Sequence, residues 1–280
     1  MRVQPFQIVK PLHENLIVQI DKGKGFYNNL HRHNEIQLSL VVKGFGKLIV
    51  GDSVHQFRDG DFFAIGGNCP HLFKSEGAQG TVHMISLFFT PETFGKEFFT
   101  LSDLAEVRPF FDFVQDGFQI ISGQQEIGDR ILEFSQASKT TRVVLFIALL
   151  QQLVKANRKS LTSFTYPKEI GNLAGKRMQL VFDYVLHNFD KEVKLEVVSD
   201  LVHMTPNAFC KFFKKRTNKT FFQFLIELRI EHASQLLRNN QEDVSIAEVS
   251  ERSGFKSISN FNRKFKLFKG TVPSRYRKSL

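Results

Sequence analysis

The sequence predicts a multidomain α+β chain: a β-rich N-terminal half with helices of its own, followed by an all-α C-terminal half. Three observations carry this prediction. Residues 14 to 90 break into short apolar runs separated by turn residues. After residue 100 the apolar period becomes helical. From Lys176 onward no strand pattern returns.

Taken in order, the runs Leu16–Ile20, Ile36–Val42, Phe45–Val50, Phe62–Ile65 and Val82–Phe89 alternate with turn signals. Those signals are Lys43-Gly44, Gly51-Asp52, Asp59-Gly60 and Gly66-Gly67-Asn68. Many short strands at this spacing predict a sandwich or barrel. Ile127, Ile131 and Phe134 then mark one helix, and Val143, Phe146, Leu150, Leu153 and Val154 a second. Val144, Leu145, Ala148 and Leu149 make the other side of that second helix apolar too, so it must be covered all round. Either it is wholly buried within one chain, or an outer face bearing Leu149 and Leu150 packs on a second subunit. Asn157 to Gly175 is polar, contains Pro167, Gly171 and Gly175, and reads as a linker. The expected domains are therefore residues 1–160, with a helical part at about 110–157, a linker at 161–174, and residues 175–280. Met178, Val181, Phe182, Val185 and Phe189 mark the first helix of the back half.

Charge separates the halves. Of the 280 residues, the first 165 carry 17 Lys+Arg against 16 Asp+Glu, and the rest carry 21 against 12. A net charge of +9 confined to the back half points to a polyanionic partner for that half alone. A composition of 42% hydrophobic and 24% charged residues excludes a disordered chain. The longest apolar run, Val143 to Leu150, is too short to span a bilayer, and the first residues contain no secretory apolar core. Cys69 and Cys210 form no metal or redox spacing, which fits a reducing cytoplasm.

The basic half contains an internal repeat. Leu195, Val198 and Ser199 align with Ile246, Val249 and Ser250; Phe209, Lys211, Phe213 and Lys214 align with Phe261, Arg263, Phe265 and Lys266. The offset grows from 51 to 52 because the second copy has one more turn residue. Each copy predicts a short helix, a tight turn and a second helix, at about 195–215 and 245–268. Ser245 with Glu248 forms a capping box, and Gly254 suits a left-handed helix end. Thr205 can cap the helix that Pro206 begins. Ile258, Phe261, Phe265 and Phe268 are expected on the buried face, with polar and basic residues opposite. This is the pattern of a helix-turn-helix, whose second helix enters the major groove of double-stranded DNA. A helix through Phe222, Leu225, Arg229, Ala233 and Leu236 would set the separation of the two copies.

Residues 176–280 resemble the DNA-binding domain of AraC-type transcription regulators. The resemblance rests on Gly254-Phe255, Asn260-Phe261, Arg263, Phe265-Lys266, Gly270, Pro273 and Tyr276-Arg277, with Arg229, Ala233, Leu236 and Leu237 in the connecting helix. It implies base-reading positions at Asn207, Cys210 and Lys211 and at Ser259, Asn260 and Arg263. Lys214, Lys215, Lys264, Lys266 and Lys269 are then left for the DNA backbone. At Cys210 a longer polar residue is more usual in the family, and the short thiol suits packing on a sugar or thymine methyl.

The front half resembles the cupin-like sensor domain of the same family through His31-Arg32-His33, Gln37, Gly44, Gly60-Asp61 and Pro70-His71. In metal-dependent cupins the position of Gln37 is a Glu, and an amide is a poorer ligand for a hard divalent ion. Glu35 lies an even step from Gln37 and could face the same side. The expectation is no metal and no cofactor, with His31, His33, Gln37 and His71 lining an effector pocket; His55 and His83 are expected to be structural. The resemblance implies a cytoplasmic homodimeric activator that contacts RNA polymerase and answers to a small-molecule effector, a sugar among the candidates. It implies no enzymatic activity. The competing functions are a metal-binding cupin enzyme fused to a DNA-binding domain and a regulator without effector.

Overall fold

A computed structural model describes residues 15–76, 81–162, 172–238 and 244–279. The chain forms two compact units, and the main division between them falls after Asn172.

The N-terminal unit is the expected barrel with helices. Its strands are β1 (Ile17–Gly23), β2 (Ile36–Lys43), β3 (Gly46–Val50), β4 (Ser53–Phe57), β5 (Phe62–Ile65), β6 (His71–Ser75), β7 (Val82–Phe89), β8 (Phe118–Ile120) and β9 (Arg158–Ser160). One sheet has the order β1-β7-β2-β5-β8-β9 and the other the order β4-β3-β6. Strand β2 is buried along most of its length because both of its faces are covered. Ile36, Leu38 and Leu40 face outward with Phe62, Ala64, Ile85 and Leu87. They pack under α1 (Pro109–Phe113), α2 (Gln124–Gln136) and α3 (Lys139–Lys155). The alternate residues Gln37, Ser39 and Val41 face inward, opposite Phe88, Ser86 and Met84 of β7. Between the sheets Phe26, Phe57, Phe63 and Phe73 form an aromatic cluster, with ring centroids 5.5–6.2 Å apart in four of its pairs.

Two expectations change here. Leu149 and Leu150 are fully buried within the chain, so neither lies on an outer face. The exposed line of α3 runs instead through Val144, which is 67% exposed. The linker is also shorter than 161–174. Strand β9 pairs with β8, the buried Leu161 and Thr162 donate backbone hydrogen bonds to Gly117 and Asp116, and helix structure is present from Asn172. Most of that linker, including Pro167 and Gly171, lies outside the described residues.

The C-terminal unit is all α: α4 (Asn172–Asn188), α5 (Leu195–Leu201), α6 (Pro206–Thr217), α7 (Phe221–Arg238), α8 (Ile246–Arg252), α9 (Ile258–Lys269) and α10 (Pro273–Lys278). Helices α5–α6 and α8–α9 are the two helix-turn-helix copies. The hydroxyls of Thr205, Ser245 and Ser257 cap α6, α8 and α9 by accepting from the backbone N–H three residues on. In the second copy Phe255, Phe261 and Phe265 pack on Ile230, Ala233 and Leu237 of α7. In the first, Phe209 and Phe213 meet Phe221 of α7, and Phe213 also meets Phe224. Arg229, in the middle of α7, donates from Nε to Phe189 O and from Nη2 to Lys191 O, both at 2.7 Å. Its guanidinium lies 5.9 Å from the centre of the Phe255 ring, so one residue ties the end of α4 to both the connecting helix and the second copy. Among the described residues, no helix is long and apolar enough to cross a membrane.

Candidate functional site

On α6 the inward side chains are Phe209, Phe212 and Phe213, while Asn207, Cys210, Lys211, Lys214 and Lys215 are exposed. On α9, Phe261 and Phe265 are inward, and Ser259, Asn260, Arg263 and Lys266 are exposed. All six expected base-reading residues therefore stand on the solvent faces of the second helix of each copy. Arg263 Nη2 donates to Asn260 Oδ1 at 3.1 Å. Lys264 is half-buried.

Lys269 departs from its expected backbone role. Its Nζ donates to Glu231 Oε1 of α7 at 2.6 Å, and its side chain is only 12% exposed. It ties α9 to α7 instead of extending toward a phosphate. Two residues expected on the buried face of α9 depart as well: Ile258 is 46% exposed, because the Ser257 cap makes it the first helical residue, ahead of the turn that meets the core, and Phe268 in the last turn is 40% exposed. Asn262, the repeat counterpart of Cys210 by the 52-residue offset, is half-exposed on α9 and is not among the expected base-reading residues.

In the barrel, His31, His33, Gln37 and His71 are brought together and buried. His31 and His71 exchange backbone hydrogen bonds at 3.1 and 2.9 Å, which docks the His31–His33 segment on β6. The Gly66-Gly67 turn holds the other side. A Cβ at Gly67 would lie 2.4 Å from Asn34 O, so only glycine permits this approach, and Asn68 N donates to His33 O. Ligand atoms of the three histidines lie within 4.8 Å of one another. Gln37 Oε1 is 3.1 Å from His33 Nε2 and 3.0 Å from His71 Nε2. Gln37 Nε2 lies 2.8 Å from Ser39 Oγ and 3.4 Å from Ser86 Oγ, and the two hydroxyls are 2.8 Å apart. Burial pushes all three imidazoles toward the neutral form and lowers the pKa of His31 to about 4. Glu35 meets the same ring through its other nitrogen: its backbone oxygen takes the His33 Nδ1 hydrogen bond, and its carboxylate lies 3.9 Å from Nδ1.

Comparison with known proteins agrees with both halves. Residues 198–279 match the family model described as a helix-turn-helix domain, and residues 16–88 match that of a cupin domain. Over 268 residues the chain is 24% identical to the uncharacterized HTH-type transcriptional regulator YdeC of Bacillus subtilis, covering 92% of this chain and 89% of YdeC. It is 25% identical to the probable transcriptional regulator LumQ of Photobacterium leiognathi, covering 92% and 93%. Among solved structures, ToxT from Vibrio cholerae, bound to a methylnaphthalenyl butenoic acid, aligns over 94% of this chain and 98% of its own at 14% identity, with a TM-score of 0.38. With a cupin domain in front and two helix-turn-helix copies behind, the chain is similar along nearly its whole length to proteins described as HTH-type transcriptional regulators, the arrangement that its resemblance to the AraC type implies.

Proposed function

We propose that this regulator is an effector-responsive activator that works as a cytoplasmic homodimer. In this reading the barrel binds a small molecule, the face of α3 around Val144 pairs two subunits, and α6 and α9 read DNA beside RNA polymerase. The observation that carries it is the pair of exposed polar and basic faces on α6 and α9, built into one compact unit by α7. Activation then requires that the effector bind two arrangements of the dimer with different affinity. The neutral imidazoles, the amide and the two serine hydroxyls put no net charge on this part of the barrel, which favours an uncharged effector packed beside them, a sugar among the candidates. With Gln37 in the place of a carboxylate ligand, we assign the barrel no enzymatic reaction.

A regulator without effector is the second reading. It is favoured by Phe26, Phe57, Phe63 and Phe73, whose rings occupy the space between the sheets.

The test selects binding sites from random duplex DNA with the full chain, then places the selected site before a reporter promoter. Sequence-specific retention and reporter induction are expected, with induction changed by a sugar that also raises the melting temperature of the protein. Retention without sequence preference would overturn the DNA-reading assignment. Reporter output and melting temperature indifferent to every sugar tried would favour the reading without effector.

A further inference from the structure

Each histidine of the barrel cluster places Nδ1 2.9 Å from a backbone carbonyl: His31 on Asn29, His33 on Glu35 and His71 on Cys69. A carbonyl oxygen only accepts, so Nδ1 carries the proton in all three rings. A neutral imidazole of that tautomer has a bare lone pair on Nε2. In His33 and His71 that lone pair points at one terminal atom of Gln37, 3.1 and 3.0 Å away. An amide oxygen there would set acceptor against acceptor twice, unless both rings were cations. Two buried cations with ring centres 5.1 Å apart would repel one another in a place where burial already drives both rings neutral. The two ends of an amide have nearly the same shape, so the surrounding hydrogen bonds decide which end lies where. Turned over, the NH2 supplies two hydrogens for two lone pairs, and the oxygen accepts from the Ser39 hydroxyl at 2.8 Å, with Ser86 next in line.

We propose that Gln37 directs its NH2 to the rings and donates one hydrogen to His33 Nε2 and the other to His71 Nε2. The histidine cluster is then a closed hydrogen-bond network, with the amide on the lone pairs that a divalent cation would need. The three imidazoles have the spacing of a metal triad, but Gln37 already engages Nε2 of His33 and of His71, and the residues present do not fit a bound metal. A carboxylate at position 37 could not play this part. It has no hydrogens, it would place negative charge against two lone pairs, and the arrangement would be completed only by a proton or a metal ion. The difference between NH2 and O at one side chain thus separates a cross-braced barrel from a cation centre. The network joins β2, β6, β7 and the His31–His33 segment through side chains, and it stands whatever effector the regulator answers to.

The experiment measures metal content in the full chain after exposure to zinc, cobalt or nickel and desalting, with folding followed by circular dichroism. The wild type is expected to retain no stoichiometric metal, whereas Gln37→Glu is expected to retain about one ion per chain and to lose it when His71→Ala is added. Ring nitrogen NMR of metal-free wild type needs no variant: His33 and His71 are expected as Nδ1–H tautomers, with hydrogen-bond couplings from the Gln37 NH2 to both Nε2 atoms. Stoichiometric metal in the wild type that disappears in His71→Ala would overturn the proposal. So would a folded Gln37→Glu that takes up none, or an Nε2–H or cationic ring at His33 or His71.

Discussion

Arg263 and Asn260, one turn apart on the exposed face of α9, are hydrogen-bonded to each other before any DNA is present: the guanidinium Nη2 donates to the amide Oδ1 over 3.1 Å. The bond leaves the remaining guanidinium donors available and restricts two side chains that would otherwise lose rotamer freedom on binding. If these are base-reading residues, as proposed, the two should act as a unit. Arg263→Ala should cost about 1–3 kcal/mol on the selected site and relax one base preference. Asn260→Ala should weaken binding as well, and the double variant should lose less than the sum of the two. Equal losses on selected and random duplexes would show that Arg263 touches phosphate only.

The lysines should divide by their partners. Lys215 is exposed, whereas Lys269 is paired with Glu231. Lys215→Ala should weaken all sequences alike and reduce the slope of log K against log salt by about one. Lys269→Ala should leave that slope unchanged and lower the unfolding free energy of the domain. A slope change of the same size in both variants would contradict the division.

The turns of the two copies solve one problem with different residues. His203 has φ +54° where the second copy uses Gly254 at φ +78°. Left-handed backbone costs a residue with a side chain roughly 1–2 kcal/mol, part of which glycine returns as unfolded-chain entropy. His203→Gly should therefore stabilise the chain by about 0.5–1 kcal/mol in urea unfolding. Gly254→Ala should destabilise it by more, since the added Cβ would lie 2.5 Å from Phe189 O and 2.9 Å from Arg229 Nε. A neutral Gly254→Ala would mean that the turn relaxes freely.

For the proposed dimer, Val144 is the residue to change. Val144→Asp should give monomers by sedimentation with an unchanged circular dichroism spectrum. Leu150→Ala should instead cost about 2–5 kcal/mol of stability without dissociating subunits, because it opens a cavity in the core. A wild type that sediments as a monomer at every concentration, with and without DNA, would end this assignment.

Acid should loosen the barrel. The pKa values of His31, His33 and His71 lie below 6.5 in the folded state, that of His31 at about 4. The unfolded chain therefore binds protons first as pH falls through 6.5. Stability present above that value is lost toward pH 4, at about 1.4 kcal/mol per pH unit for each ring that stays neutral. Unfolding followed in the full chain should show a midpoint that falls steadily from pH 7 to pH 5. A flat profile would mean that the rings titrate as they do in the unfolded chain, and a midpoint that rises toward pH 5 would mean that they are already charged.

The helical half was legible because its signals are local. The Ser245–Glu248 box, Gly254 and the spacing of Phe255, Phe261 and Phe265 each act within a few residues, and the repeat states them twice. Strand β9 was not legible, since Arg158-Lys159-Ser160 are all exposed and carry no apolar alternation; only the partner strand defines them. Leu149 and Leu150 were misplaced because a helix that is apolar all round has no sequence mark for the side that meets solvent. The histidines announced themselves as a motif, but Ser39 and Ser86 did not. They meet only through the β2–β7 register, and without them the orientation of Gln37 has no arbiter.

Helix α7 has a consequence for the shape of the operator. Its 18 residues make a rod of about 27 Å, packed at one end on the first copy and at the other on the second. The two copies present different side chains, so a single subunit's footprint is a two-part word with a direction, not a palindrome. One base pair inserted between the parts turns the second by about a tenth of the double helix, which a stiff rod cannot follow. Reversing a site before its promoter would present the whole subunit backwards to whatever stands beside it. The genomic sites of this protein should accordingly share one internal spacing and, at any given promoter distance, one polarity.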